Sequence, residues 1–372
     1  MGIIVPINLD KYPLVKRKEF SFEEIPSLIN QWLHESSDES YYVFLDKLLV
    51  RYVNLLKEKQ IIVSQYFEER IECQDVIGDI DELIDFIKKA LNYYLDGSMS
   101  TSYYSFNKWW NGKVNHPGAS LLVNKVYPIE KNDVFYRIRT DSDESKPFKA
   151  EEMFHIPFHF RNRVNTNRFS LPGFPALYMS RSIYTCWEEM RRPPFDKFCV
   201  AKIVAKEKVK LLDLRLWRTL SDKDSALEYL LMLPIIMACS IKTKDDTGAF
   251  KLEYVIPQMM LHSVIKENDY RGKHRYEGIV YNSTRFHQGL YSNDYSFSED
   301  FIIPVRKSKE FGFCNKLCKQ FQITDSIHSS YKEDMNLFPR TNGEIEVDYF
   351  QRLEKILDNN LLKEIEANYK PI

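Results

Sequence analysis

A chain of 372 residues has room for one large domain or two ordinary ones, and a formal charge of −1 gives it no global drive toward nucleic acid or an anionic membrane. Hydrophobic residues at 44% and aromatics at 14% supply enough apolar surface for a sizeable core, which excludes a disordered chain. Six cysteines with no C-x-x-C pair exclude a disulfide framework and lead us to expect free thiols in a reducing cytoplasm.

The first residues, Met1-Gly2-Ile3-Ile4-Val5-Pro6, hold no basic run followed by an apolar stretch of signal-peptide length, and Gly2 lacks the context of a myristoylation signal. Residues 1–128 read as mainly helical. Ser21-Phe22-Glu23-Glu24 resembles a capping box, but Pro26 would then sit inside the helix, so the first helix is expected to begin at Pro26. A second is expected over Tyr41–Gln60, where Leu45, Leu48, Leu49, Tyr52, Leu55 and Leu56 recur at helical spacing. A third is expected over Ile80–Asp96, with Gly97 as its stop signal. Residues 98–118 mix Tyr103, Tyr104, Phe106, Trp109 and Trp110 with Ser, Asn and Gly. They read as a platform for stacked bases or as a linker packed by its aromatics; the scarcity of basic residues favours the linker.

From residue 129 the pattern becomes mixed. Strands are expected at Val134–Arg139, Ala176–Met179, Phe198–Ala205, Lys210–Leu214, Glu277–Tyr281 and Phe301–Val305. Helices fit Ile183–Arg191, Ser225–Ser240 and Pro257–Glu267. Strands and helices do not alternate regularly, which favours an α+β fold over a doubly wound sheet. No Gly-x-Gly-x-x-Gly or Walker lysine loop is present. The longest apolar run, Tyr229–Ile241, is interrupted by Pro234 and too short to span a bilayer, so it reads as a core helix. Residues 129–310 then form the central domain. Residues 311–372 form a tail with a loop at Thr324–Asn342 and a helix at Val347–Ala367, lined by Ile345, Tyr349, Leu353, Ile356, Leu357 and Leu361.

His155 and His159 are four apart, a zinc spacing on a helix, but Pro157 between them breaks that helix; Cys314 and Cys318 lack a second pair of ligands. No metal is expected. Arg137 and Arg139 alternate on one strand and share a face, where they repel unless an anion compensates them. Their alternative is an exposed, solvated pair. Glu188 and Glu189 adjoin Trp187 and Met190, so one of the two is expected to point inward. Ser283 closes the strand-like run Gly278-Ile279-Val280-Tyr281-Asn282; read alone it is most simply a turn cap.

Tyr136-Arg137-x-Arg139, Arg168-Phe169 with Gly173, Leu177-Tyr178 followed by Thr185 and Glu189, Leu211-Leu212-Asp213-Leu214, the stretch Glu253–Gln258, and Gly278-Ile279-Val280-Tyr281-x-Ser283 together resemble the RES domain family over about residues 130–305. The resemblance implies a mixed-sheet fold like that of ADP-ribosyltransferases. It matches the family's arginine to Arg137, its tyrosine to Tyr178, its glutamate to Glu189, with Glu188 one register away, and its serine to Ser283. A second arginine matches Arg168, where Ser170 stands in place of the family's asparagine. The implied activity is cleavage of the nicotinamide–ribose bond of NAD+, as a phosphorylase or hydrolase, by a toxin held in check by an antitoxin or regulator. NAD+ is then substrate, with no further cofactor. Arg137, Arg139 and Arg168 would bind its pyrophosphate, Tyr178 and Ser283 would contact the dinucleotide, and Glu189 would face the developing sugar cation. Inorganic phosphate is one acceptor. The helical N-terminal part would bind a partner, gate the pocket or hold a homo-oligomer. Transfer of ADP-ribose to a macromolecule and an inactive RES-like binding module are the alternatives.

Overall fold

Short strands and long helices alternate at the start of the chain. The structure, a computed structural model, describes residues 18–63, 69–115, 126–140, 147–194, 197–217, 220, 222–245, 247–266, 275–285, 295–329, 350, 353–359 and 361–365. β1 (Lys18–Ser21) leads into α1 (Glu24–Leu33). α1 starts two residues before Pro26, which therefore sits in the first turn, where its missing N–H has no acceptor to lose. α2 (Tyr41–Glu58) is capped by Ser40, whose hydroxyl accepts from Val43 N. It gives way at Lys59 to β2 (Lys59–Val63), which pairs with β1 and with β3 (Glu69–Ile71) in a three-stranded sheet. α3 (Gln74–Leu95) starts six residues earlier than its periodicity indicates, and Gly97, at φ 79°, closes it in the left-handed conformation that glycine adopts without strain.

Residues 98–118 were expected as a linker; the structure instead forms α4 (Met99–Asn115). Phe106, Trp109 and Trp110 are core residues, and only Tyr104 among the named aromatics is well exposed. Ser102 disguises the apolar stripe. It lies buried against α3, its hydroxyl donating to Ala90 O at 2.5 Å, where a larger side chain would keep the two helices apart.

The middle of the chain builds a mixed sheet, as an α+β fold requires. β4 (Val126–Ile129), β5 (Val134–Thr140), the single turn α5 (Ala150–Met153), β6 (Ala176–Ser180), α6 (Ile183–Glu189), β7 (Phe198–Ala205) and β8 (Val209–Asp213) come first. They are followed by α7 (Lys223–Ser240), α8 (Val255–Lys266), β9 (Gly278–Asn282), β10 (Glu299–Pro304), α9 (Asn315–Gln320), β11 (Phe321–Thr324), β12 (Ile327–His328) and β13 (Leu362–Lys363). The strand order is β13-β11-β7-β5-β6-β10-β9-β8-β4, with β12 added on β7. All pairs in this sheet are antiparallel except β8 with β9.

The six expected strands form within two residues of their expected ends. The tail departs more. Residues 353–358 are helical, but the chain turns at 359 and pairs as β13, leaving Leu361 84% exposed rather than on an apolar stripe. Residues 330–342 of the expected loop, and Ile345 and Tyr349, lie outside the described residues.

One face of the sheet, with Leu212, Ile279, Tyr281 and Ile302, packs under α7 and α8, and the same buried cluster continues into α1–α4. The other face carries Phe135, Leu177, Met179, Ile203, Phe301 and Ile303. α7 holds the apolar run Tyr229–Ile241 and is buried on nearly every side. Pro234 removes the N–H that would reach Leu230 O, and the Tyr52 hydroxyl of α2 donates to that carbonyl instead, at 2.7 Å. Among the described residues no helix is long and apolar enough to cross a membrane.

Candidate active site

The sheet is poorly closed at one seam. β5 pairs with β7 along all of Val134–Thr140 but with β6 at one position, Tyr136 opposite Ser180. The Arg137 guanidinium occupies the opening, where Nη1 donates to Tyr178 O at 2.8 Å. Its Nε is buried with no hydrogen-bond partner, and among the described residues no carboxylate forms an ion pair with it. Burial and the charge of Arg139 pull its pKa down to about 10, so it remains a cation at neutral pH. A half-enclosed cation without a counter-charge is a ready site for an anion.

The opening leads into a cavity of about 310 Å³ lined by Arg137, Tyr178, Glu189, Arg168, Arg285 and Asp300, among others. Tyr178 shares its face of β6 with Ser180, and burial pushes its phenol pKa up. The hydroxyl is near Ser170, but no protein atom meets hydrogen-bond geometry with it. Ser170 is itself engaged, donating to Asn165 O at 3.0 Å.

α6 decides between the two glutamates. Ser182 caps it, accepting from Thr185 N at 3.1 Å. Glu188 is buried away from the cavity, where Tyr184 donates to Oε1 at 2.6 Å and Arg192 grips both oxygens at 2.6 and 3.0 Å. Glu189, one position further round the helix, lines the cavity, its side chain 35% exposed. The helix stops there because Arg191 and Arg192 both take positive φ, 64° and 53°, and their N–H groups return to Glu188 O and Trp187 O. Non-glycine residues in that region cost about 1–3 kcal/mol each, a strain found where a site fixes the chain.

Ser283 follows the last residue of β9. Its hydroxyl donates to Glu189 Oε1 at 2.5 Å and accepts from Arg285 N at 3.2 Å, so it joins the end of β9 to the end of α6 across 94 residues. Arg285 Nε stands 4.0 Å from the other oxygen, Glu189 Oε2. Arg137, Tyr178 and Glu189 thus meet in the cavity, and Ser283 reaches it through Glu189.

Two expected arginines have other partners. Arg139 does not line the cavity; it donates to Glu152 O at 2.5 Å and stacks over Phe148, because it lies two residues further along the same face of β5, beyond the single β5–β6 pair. Arg168 does line it, yet Nη1 donates to Cys239 O and Ile241 O and Nη2 to Thr284 Oγ1, so it caps α7 and ties it to the β9 turn.

Arg285, Tyr254 and Asp300 line the cavity without having been singled out from the sequence. Arg285 follows Ser283 by two residues in the same polar turn. Asp300 carried a signal, since it is a carboxylate opening the apolar run Phe301-Ile302-Ile303. Elsewhere, His155 is a satisfied core residue. Nδ1 faces Ile156 O, Nε2 accepts from Cys314 N at 2.9 Å, and burial lowers its pKa to about 4. The six cysteines are buried as free thiols. Among the described residues no group of three His, Cys, Asp or Glu side chains could hold a metal ion.

Fold and site define an α+β protein with an arginine-lined, carboxylate-bearing cavity at a break in its sheet. The chain is similar to the protein named "Putative toxin YopC" from Bacillus subtilis (strain 168), with 33% identity over 296 residues. The match covers 72% of this chain and 65% of the relative, so the chain spans just under two thirds of that relative's length. No family model and no solved structure matches it.

Proposed function

We propose that this protein is a toxin of RES type that cleaves the nicotinamide–ribose bond of NAD+, with phosphate or water as acceptor. The observation that carries the reading is the 2.5 Å hydrogen bond from Ser283 to Glu189, a carboxylate that lines the same cavity as Arg137, a cation without an anionic partner among the described residues. The name of the similar Bacillus subtilis protein supports the toxin part.

Nicotinamide leaves NAD+ as a neutral base, so the leaving group needs no strong acid. The transition state gathers positive charge on the ribose. Glu189 supplies the opposing carboxylate, and Ser283 fixes its orientation so that little reorganisation accompanies bond breaking. Arg137 and Arg285 face the pyrophosphate, with the former in the position where an anion relieves an unpaired cation. Arg168, largely engaged by carbonyls, holds the wall rather than the phosphates. Tyr178 packs its ring on the nicotinamide ribose. Such an enzyme needs restraint in its own cell, so a dedicated inhibitor protein belongs to this reading.

Purified protein is incubated with NAD+, with and without phosphate, and the products are identified by mass. Nicotinamide with ADP-ribose means hydrolysis, and phosphorylated ADP-ribose means phosphorolysis. Label retained on a protein or nucleic acid means transfer to a macromolecule. E189Q is expected to keep the fold and lower turnover by about 100-fold or more; turnover close to wild type in E189Q would refute the assignment.

A further inference from the structure

We propose that Asp300 is a positioning residue that keeps a proton on Oδ2 and directs it at Glu189, so that Glu189 acts as a carboxylate held from two sides. This rests on the reading of Glu189 as the sugar-facing carboxylate. Asp300 lies opposite Ser180 on β6 and Tyr281 on β9, and it lines the same cavity as Glu189. Its residue surface is only 4% exposed. Oδ1 accepts from the Ser180 hydroxyl. Oδ2 is enclosed and receives no protein N–H or O–H, an unfavourable place for an ionised oxygen and a natural one for a hydroxyl.

Most of the groups around it act in one direction. Burial raises its pKa first, the charge of Glu189 on α6 raises it further, and the Ser180 hydroxyl on β6 only partly offsets them. Cys186 on α6 and Tyr281 on β9 both sense the Asp300 charge and are themselves pushed up by burial. Arg137 acts on Cys186, Arg168 acts on Tyr281, and Arg285 stands beside Glu189, but among the described residues no cation forms an ion pair with Asp300. Two adjacent carboxyl groups do not both ionise, and the more enclosed one keeps the shared proton. Glu189 is the more exposed of the two and accepts the Ser283 hydroxyl, so the proton sits on the Asp300 side of the pair. With Asp300 as second donor, its carboxylate cannot rotate away from the cavity. Once Asp300 ionises as pH rises, the two groups repel and the orientation is lost.

D300N reproduces the neutral form, because its amide accepts from Ser180 and donates from Nδ2, whereas D300A removes both. Three measurements are made on wild type, D300N and D300A: difference infrared spectra of the protonated-carboxyl region across pH without substrate, the pH profile of kcat for NAD+ loss, and thermal melting as a check on folding. A protonated-carboxyl band at neutral pH that is missing from D300N supports the proposal. So does an alkaline fall in kcat that follows loss of the band and is absent in D300N, with D300A roughly tenfold slower than D300N. Absence of the band in folded wild type at neutral pH overturns the proposal, and so does a D300N variant as slow as D300A. The band in a wild-type protein that does not consume NAD+ supports the carboxyl pair and overturns the NAD+ reading, so the two failures are told apart.

Discussion

A carboxyl group enclosed beside another carboxylate keeps its proton because ionisation there forfeits hydration and meets like charge. For Asp300 this has a consequence for folding as well as for the site. In the unfolded chain it ionises near the ordinary aspartate value, about 3.9; in the folded protein burial and Glu189 hold its pKa well above that. Between the two values the folded state binds the extra proton. Stability from this group is therefore complete below the unfolded pKa and declines as pH rises toward the folded one. D300N removes the penalty. Its melting temperature is expected to exceed that of wild type by about 2 °C or more at neutral pH, with the gap closing toward about pH 3. Melting curves across pH check this, since a gap of constant size would mean a packing difference rather than a proton. Glu188 shows why such assignments resist reading from residue order. It and Glu189 are adjacent and chemically alike, and only the partners settle them: Tyr184 and Arg192 for one, Ser283 for the other.

Elements reveal where residue patterns carry their information and where they do not. α2 was legible because its apolar residues recur at helical spacing, and the six central strands because they are short runs rich in aliphatic and aromatic residues with polar, Gly or Pro residues at their ends. α4 was not, since Ser102 stands in its buried stripe and the signal there is size, which hydrophobicity does not register. The site was legible in part. Arg137, Tyr178, Glu189 and Ser283 form recognisable groups along the chain, whereas Arg139 seemed equivalent to Arg137 until the β5–β6 seam separated them. Pro234 shows the same limit in the core. It sits mid-helix in α7, where it frees the Leu230 carbonyl, and the partner that satisfies it comes from Tyr52, far away in sequence. Y52F leaves that buried carbonyl unpaired while keeping the ring, at a cost of about 1–3 kcal/mol. Denaturant titration reads this as a lower midpoint at constant slope. An unaltered midpoint would show that the hydroxyl contributes nothing to holding α7.

At the scale of the molecule, the N-terminal helices and the sheet share one interior. The buried cluster passes from Ile25, Leu49, Tyr52 and Leu91 through Tyr229, Leu230 and Ile256 to Leu212 and Ile279 without a polar break. The sheet packs one face against α7 and α8, and α7, which Arg168 caps, is covered on its outer side by α1, α2 and α3. On α2 alone Leu45, Leu48, Leu49, Tyr52 and Leu56 are buried. Each side chain of that size contributes about 1.5–3 kcal/mol when shielded from water. A few of them already match the whole net stability of an ordinary domain, about 5–15 kcal/mol. Removing α1–α4 would bare the outer side of α7, including Tyr229 and Leu230, and would leave Leu230 O without the Tyr52 hydroxyl. A chain starting at residue 126, although it retains Arg137, Tyr178, Glu189 and Ser283, is therefore expected to be insoluble or to bind a hydrophobic dye without melting cooperatively. A soluble fragment with a sharp thermal transition would mean that the helical part is a separable addition and that the shared interior does not hold the cavity in shape.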